Sequence, residues 1–240
     1  MKTISAVLSP ELISAYSDTP STCVVVDILR ASTTVVTAFE NGARAIYPLE
    51  HVEEAKHYAE MGMLVGAERN VNRCDFAQLG NDPLEYSREA IGGKEIYFTT
   101  TNGTRSIQYC MRHGHTVLVG GFVNLKALAQ RCEGHDILAV CAGWKGRICI
   151  EDALFAGALA DALSGTHIPT GDATKMVIEL WQEHKGHLEE YIMNSEHYQR
   201  LVKAGKQDSL RLCLTESIMQ SIPVAHMNDN GLIELRVEQL

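Results

Sequence analysis

Short β-branched runs alternate with longer stretches of helical period over the first two thirds of the chain. The pattern predicts strands at Thr22–Ile28, Arg44–Leu49, Met63–Gly66, Glu95–Thr100, Thr116–Val119 and Ile137–Cys141. Between and after them it predicts helices at Ser32–Glu40, His51–Met61, Thr104–His113, Leu125–Cys132 and Glu151–Leu163. Most of these helices stop at a glycine, as expected where the chain must leave the helix. Strand–helix alternation of this kind predicts a layered α/β fold around a mostly parallel sheet.

After about Gly171 the pattern changes. Asp172–Gly205 reads as mostly helical, and Gln207–Ser221 continues in that style. Pro223–Met227 and Leu232–Val237 read as two last strands, forming a hairpin or lying apart on the sheet edge. No repeat or low-complexity linker divides the chain, so residues 1–240 are expected to form a single domain, more helical from about 171.

Composition narrows the function. The 240 residues are 45% hydrophobic and 21% charged, as in ordinary globular domains. Lys and Arg total 21 against 30 Asp and Glu, a net charge of −9. That balance argues against a general nucleic-acid or membrane-surface partner, whose footprint is basic. No run approaches the ~18 apolar residues of a membrane span, and Met1–Pro20 lacks the apolar core of a signal peptide. The seven cysteines include no CxxC pair, which speaks against a disulfide framework or a zinc ribbon. A reducing cytoplasm is the expected compartment, and a homodimer the base-rate expectation.

Ligands of open α/β sheets bind beyond the carboxyl ends of the strands. Three strand-to-helix junctions lie there: Val26-Asp27-Ile28-Leu29-Arg30-Ala31-Ser32-Thr33-Thr34, Thr99-Thr100-Thr101-Asn102-Gly103-Thr104-Arg105, and Cys141-Ala142-Gly143-Trp144-Lys145-Gly146-Arg147 before Glu151-Asp152. Each combines small or hydroxylic residues near a helix start with one arginine. Free N–H groups and the helix dipole make such starts anion sites, and arginine matches phosphate oxygens. The plainer reading makes Ser32, Thr33 and Asn102 helix caps, and Arg30, Arg105 and Arg147 surface groups. Three such junctions on one sheet favour a phosphate or sulfonate pocket.

Asp27 follows three valines, where a carboxylate must be paired with Arg30 or bind a cation. Glu68 ends another strand, and Glu151 and Asp152 open an apolar helix, where the helix dipole also favours them. Together they are candidate hard oxygen ligands for Mg²⁺. Neither a P-loop nor a GxGxxG fingerprint is present. Cys141 and Arg147 are separated by five residues after a strand, the spacing of cysteine phosphatases, but Ile148 occupies the usual Ser or Thr position. The ten histidines form no ligand motif, and surface or core roles are expected for them.

At these junctions the chain resembles the 2-phosphosulfolactate phosphatases. The matching residues are Asp27 to Thr34 with Asn41-Gly42-Ala43, Glu68-Arg69, Gly80-Asn81-Asp82-Pro83-Leu84-Glu85-Tyr86, Thr101-Asn102-Gly103-Thr104, Cys141-Ala142-Gly143 with Gly146, and Glu151-Asp152. One loop departs from the family pattern, with Gln78 where an Asp is expected and Asp82 in place of Ser before the proline. The resemblance implies a three-layer α/β/α fold with a mostly parallel or mixed sheet. It also implies Mg²⁺-dependent hydrolysis of 2-phospho-3-sulfolactate, a step of coenzyme M biosynthesis.

The resulting expectation is a Mg²⁺-assisted phosphomonoesterase for a small anionic phosphate ester. Asp27 is the first metal ligand or nucleophile, with Arg30 and Glu68 also catalytic. Glu68, Glu151 and Asp152 are the further metal or base candidates. Arg30 with Ser32, Thr33 and Thr34 is expected to hold one anionic group. Asn102, Gly103, Thr104 and Arg105 are expected to hold the other, with Asn81 and Arg147 assisting. The alternatives are a cysteine phosphatase using Cys141 and a non-catalytic binder of phosphate esters.

Overall fold

A computed structural model describes residues 1–16 and 21–238. Its strands are β1 (Lys2–Val7), β2 (Thr22–Val26), β3 (Ala45–Pro48), β4 (Val65–Arg69), β5 (Asn72–Arg73), β6 (Glu95–Thr99), β7 (Thr116–Gly120), β8 (Ile137–Cys141), β9 (His167–Pro169), β10 (Pro223–Met227) and β11 (Ile233–Val237). The helices are α1 (Ala31–Glu40), α2 (Val52–Glu60), α3 (Arg88–Ile91), α4 (Gly103–Arg112), α5 (Leu125–Cys132), α6 (Ile150–Ala162), α7 (Asp172–His184), α8 (Leu188–Ile192), α9 (Glu196–Lys203) and α10 (Gln207–Cys213).

The eleven strands form one mixed, mostly parallel sheet in the order β5-β4-β6-β3-β11-β10-β7-β2-β8-β1-β9. Two groups are internally parallel, β4-β6-β3 and β7-β2-β8-β1-β9. Between them sits the hairpin β10–β11, antiparallel to β7 on one side and β3 on the other. The last two strands therefore do not lie at the sheet edge. Val224 packs on one face and Ala225 on the other, the two-sided burial of an interior strand.

Helices cover both faces, giving the three-layer α/β fold. Val24 and Val26 of β2 face the layer containing α5, α6 and α7, while Cys23 and Val25 face α1 and α4. Such alternation follows from the two-residue period of a strand. Helix α6 is apolar almost all round because it is enclosed by the sheet and by α7. At Gly157 a Cβ would stand 2.0 Å from the Val177 carbonyl oxygen, so only glycine permits that helix contact.

Lys2–Val7 adds a strand that the pattern reading did not assign, with Ile4 and Ala6 buried on one face and Val7 on the other. Gln207–Ser221 is helical only to Cys213. Beyond it the backbone runs alongside residues 122–124, with Ser217 and Met219 N–H groups donating to the Phe122 and Val123 carbonyls. These external acceptors replace helix hydrogen bonds.

One packing relation positions the site. Helix α4 leaves β6 but lies across β3, β7, β2 and α1. Its first residue, Gly103, thereby meets the loop after β2. A Cβ there would stand 2.7 Å from the Ala31 Cβ and 3.0 Å from Asp27 Oδ2. The strand ends of the two parallel groups thus meet in one cleft.

Candidate active site

The cleft is narrow and lined by Asp27, Arg30, Glu68 and Asn81 together with Thr100, Thr101, Asn102, Trp144 and His197. Its apolar lining includes Leu29, Val71 and Leu201.

Asp27 continues β2 into a turn that is closed internally. Its N–H donates to Ser32 Oγ at 2.8 Å, and the Ser32 N–H donates to the Asp27 carbonyl at 2.9 Å. Burial pushes the Asp27 carboxyl up to about 6. The positive field of His197 and an Ala31 N–H oppose that shift, while the charges of Glu68 and Glu151 add to it. A buried carboxylate among others in this way favours a nearby cation.

Arg30 is 2% exposed. Its Nη1 lies 2.7 Å from Asp82 Oδ2 and donates to Ser209 Oγ at 3.0 Å. Lys206 reaches the same Asp82 oxygen at 3.4 Å. Asp82 therefore supplies the countercharge that a buried guanidinium requires. Asn81 is buried beside it, and its Oδ1 has no hydrogen-bond partner.

Glu68 is the next-to-last residue of β4, on the opposite wall. Its Oε1 accepts the Val71 N–H, and its Oε2 accepts from Thr101 Oγ1 at 3.4 Å. Val71 is held at φ 75°, a left-handed conformation costly for a β-branched residue. That local strain is retained where the Glu68 carboxylate is held toward the cleft.

The β6–α4 junction supplies Thr100, Thr101 and Asn102. Thr104 is 1% exposed and turned inward, its hydroxyl bonding the Thr100 backbone. Asn102 Oδ1 accepts the Lys145 N–H at 3.1 Å, fastening this junction to the loop after β8.

That third junction divides its acids. Asp152 Oδ1 accepts the Ile28 N–H at 2.9 Å, and Oδ2 accepts the Gly143 N–H at 3.0 Å. Asp152 thus ties the β2 and β8 loops together. Glu151 Oε1 lies 2.8 Å from His197 Nδ1, and Glu151 Oε2 is buried without a partner. Cys141 is fully buried in the core rather than in the cleft. Burial, then the charges of Asp152 and Glu151, push its thiol well above the usual range. A cysteine mechanism there lacks its thiolate.

Among the expected site residues, Asp27, Arg30, Glu68, Asn81 and Asn102 are brought together in the cleft. Gly103 touches Asp27 through its backbone. Ser32, Thr33 and Thr34 are buried and do not line the cleft, with Ser32 and Thr33 bonding back into the β2–α1 turn. Arg105 pairs at the surface with Glu11, 3.2 Å away. Arg147 is exposed and lines an adjoining cavity with Glu151. His197, Thr100 and Trp144 were not expected. The only hint of His197 is the capped helix after Ser195, whose buried Tyr198 and Leu201 fix which face turns inward.

A buried guanidinium, convergent carboxylates and a helix start in one cleft at strand ends mark an anion-binding site of a layered α/β protein. Residues 7–228 match the family model described as 2-phosphosulpholactate phosphatase. A Thermotoga maritima protein named a probable 2-phosphosulfolactate phosphatase is 37% identical over 203 residues, covering 84% of this chain and 88% of its own. A Gloeobacter violaceus protein of the same name is 33% identical over 227 residues, covering 92% and 94%. The chain belongs to the 2-phosphosulfolactate phosphatase family and is a phosphoric monoester hydrolase. Among the described residues no helix is long and apolar enough to cross a membrane.

Proposed function

We propose that this protein hydrolyses 2-phospho-3-sulfolactate to 3-sulfolactate and inorganic phosphate, with Mg²⁺ held by Asp27 and Glu68. The observation that carries the reading is the convergence of these two buried carboxylates with Arg30 and the β6–α4 junction in one small cleft. The donors fit the ion. They are hard oxygens, and Asp27 is disfavoured as an anion first by burial and then by the Glu68 and Glu151 charges. Bound there, Mg²⁺ would act as a Lewis acid on the phosphoryl group and neutralise charge.

The protein groups have separable roles in this reading. Arg30 binds a phosphoryl oxygen, its orientation fixed by Asp82 and Ser209. The α4 start offers backbone N–H groups to a second anionic group of the ester. Asn81, with an unsatisfied amide oxygen, orients a donor on the substrate or on the attacking water. With His197 Nδ1 facing Glu151, Nε2 is left for the cleft, where it can deliver a proton to the leaving alkoxide.

The test is phosphate release from phosphosulfolactate by the purified full chain. Release with Mg²⁺ and its loss in EDTA are expected. No release with Mg²⁺ overturns the substrate, and EDTA-insensitive release overturns the metal. Tight binding without turnover across a panel of phosphate esters would make the protein an anion-binding module instead.

A further inference from the structure

Behind the His197 wall lies a second, open pocket, and Cys149, Glu151 and His197 all contribute to its lining. Cys149 Sγ is 4.0 Å from His197 Nδ1, and that nitrogen is 2.8 Å from Glu151 Oε1. One potential ligand atom from each of the three residues lies within 4.8 Å of the others. The set is thiolate, imidazole and carboxylate, unlike the all-oxygen pair Asp27 and Glu68.

We infer that Cys149, Glu151 and His197 form a second metal site, selective for a borderline divalent ion such as Zn²⁺ or Co²⁺ over Mg²⁺. Tetrahedral zinc holds sulfur at about 2.3 Å and nitrogen or oxygen at about 2.0–2.2 Å, which sets ligand–ligand edges near 3.3–3.6 Å. The two separations from His197 Nδ1, 2.8 Å to Glu151 and 4.0 Å to Cys149, bracket those edges. The unpartnered Glu151 Oε2 is the independent indication. Glu151 is 1% exposed, and a buried carboxylate oxygen with no donor is costly unless a cation meets it. Sulfur binds a metal as thiolate, so uptake at Cys149 releases a proton to solvent. Three protein ligands leave a fourth position for water or an anion from the cavity. Sulfur also excludes Mg²⁺, which prefers oxygen.

The experiment is titration of the metal-stripped full chain with Co²⁺, read by the near-ultraviolet thiolate-to-cobalt charge-transfer absorption. One equivalent should saturate the band, Zn²⁺ should displace it, and excess Mg²⁺ should leave it. Cys149→Ser should abolish the band, His197→Gln should weaken Co²⁺ binding at least tenfold, and Cys74→Ser should leave both unchanged. Thermal unfolding gives a second reading, since a ligand that binds the native state raises the midpoint. Zn²⁺ should raise it in the starting protein and not in Cys149→Ser. No thiolate band in the starting protein, its survival in Cys149→Ser, or its loss to Mg²⁺ would overturn the assignment. None of these readings depends on turnover, so they stand apart from the phosphatase assay.

Discussion

Asp27 and Asp152 are aspartates of similar burial, 7% and 2% exposed, at junctions of neighbouring strands and their helices. Burial pushes both carboxyls up. They differ in what their oxygens meet. Asp152 gives one oxygen to the Ile28 N–H and the other to the Gly143 N–H, and so closes two loops against each other. Asp27 lines a cleft opposite Glu68 and beside Arg30. Depth alone does not separate a carboxylate that ties loops together from one that lines the cleft. What separates them is where the carboxyl sits: two loop N–H groups hold Asp152 away from the cleft lining, whereas Asp27 is part of that lining.

The sharpest way to break this comparison is paired substitution. Asp27→Asn keeps the volume and removes the charge that the proposed Mg²⁺ site depends on. The expected loss in kcat/KM is at least about 10³-fold with the folded state intact, on the scale of losing a preorganised electrostatic group. Asp152→Asn should instead act on folding. An amide has only one acceptor oxygen, so one buried N–H is orphaned at a cost of about 1–3 kcal/mol. Denaturant titration and steady-state kinetics on both variants check this. If Asp152→Asn leaves stability unchanged and loses turnover as Asp27→Asn does, the two aspartates share one role.

Gly103 tests how closely the Asp27 wall is set. Adding a Cβ 3.0 Å from Asp27 Oδ2 and 2.7 Å from the Ala31 Cβ must shift the β2 loop or the α4 start. Gly103→Ala is expected to lower kcat/KM by about 10²-fold, the effect of roughly ångström misplacement in a catalytic geometry. A variant with unaltered kinetics would mean that the approach of α4 to Asp27 has no bearing on catalysis.

The pH dependence of stability separates Asp27 from its neighbours in metal-free protein. Its carboxyl stands near 6 when folded against an ordinary value of 3.8. The folded state therefore holds that proton more tightly than the unfolded chain does. Between those two values Asp27 destabilises the fold increasingly as pH rises, fully so above about 6, and it costs nothing below about 3.8. In EDTA, Asp27→Asn should gain up to a few kcal/mol of stability at pH 8, and that gain should fade toward pH 4. Equal effects of the substitution at both pH values would exclude titration of Asp27 as the cause.

Much of the first two thirds was legible because period-2 and period-3.6 patterns mark elements wherever a face is buried. Leu125–Cys132 and Ile137–Cys141 coincide with the observed α5 and β8. Asp27, Glu68 and Asn102 were legible through their place at strand ends. Ser32 misled because a hydroxyl at a helix start suits an anion and a turn equally well. Here its oxygen is used between the Asp27 N–H and the Val25 carbonyl. His197 was invisible for a different reason. It reaches Glu151 from 46 positions away in sequence, by the docking of α9, and no local spacing encodes that contact.

The smallest expected effect concerns two arginines that look alike in the chain. Each follows a strand end and accompanies hydroxylic residues at a helix start. Arg30 is 3% exposed at its side chain and is locked to Asp82, whereas Arg105 is 51% exposed and pairs with Glu11 at the surface. Solvent-exposed ion pairs contribute about 0–1 kcal/mol, because water screens the attraction and two side chains lose freedom. Arg105→Ala should therefore change kcat/KM by less than about twofold and stability by no more than about 0.5 kcal/mol. Arg30→Ala, by contrast, leaves Asp82 buried with only Lys206 as a cationic partner and removes a guanidinium from the cleft. If Arg105→Ala raises KM tenfold or more at unchanged kcat, its side chain swings inward to hold substrate, and the β6–α4 wall must be redrawn with a mobile cation.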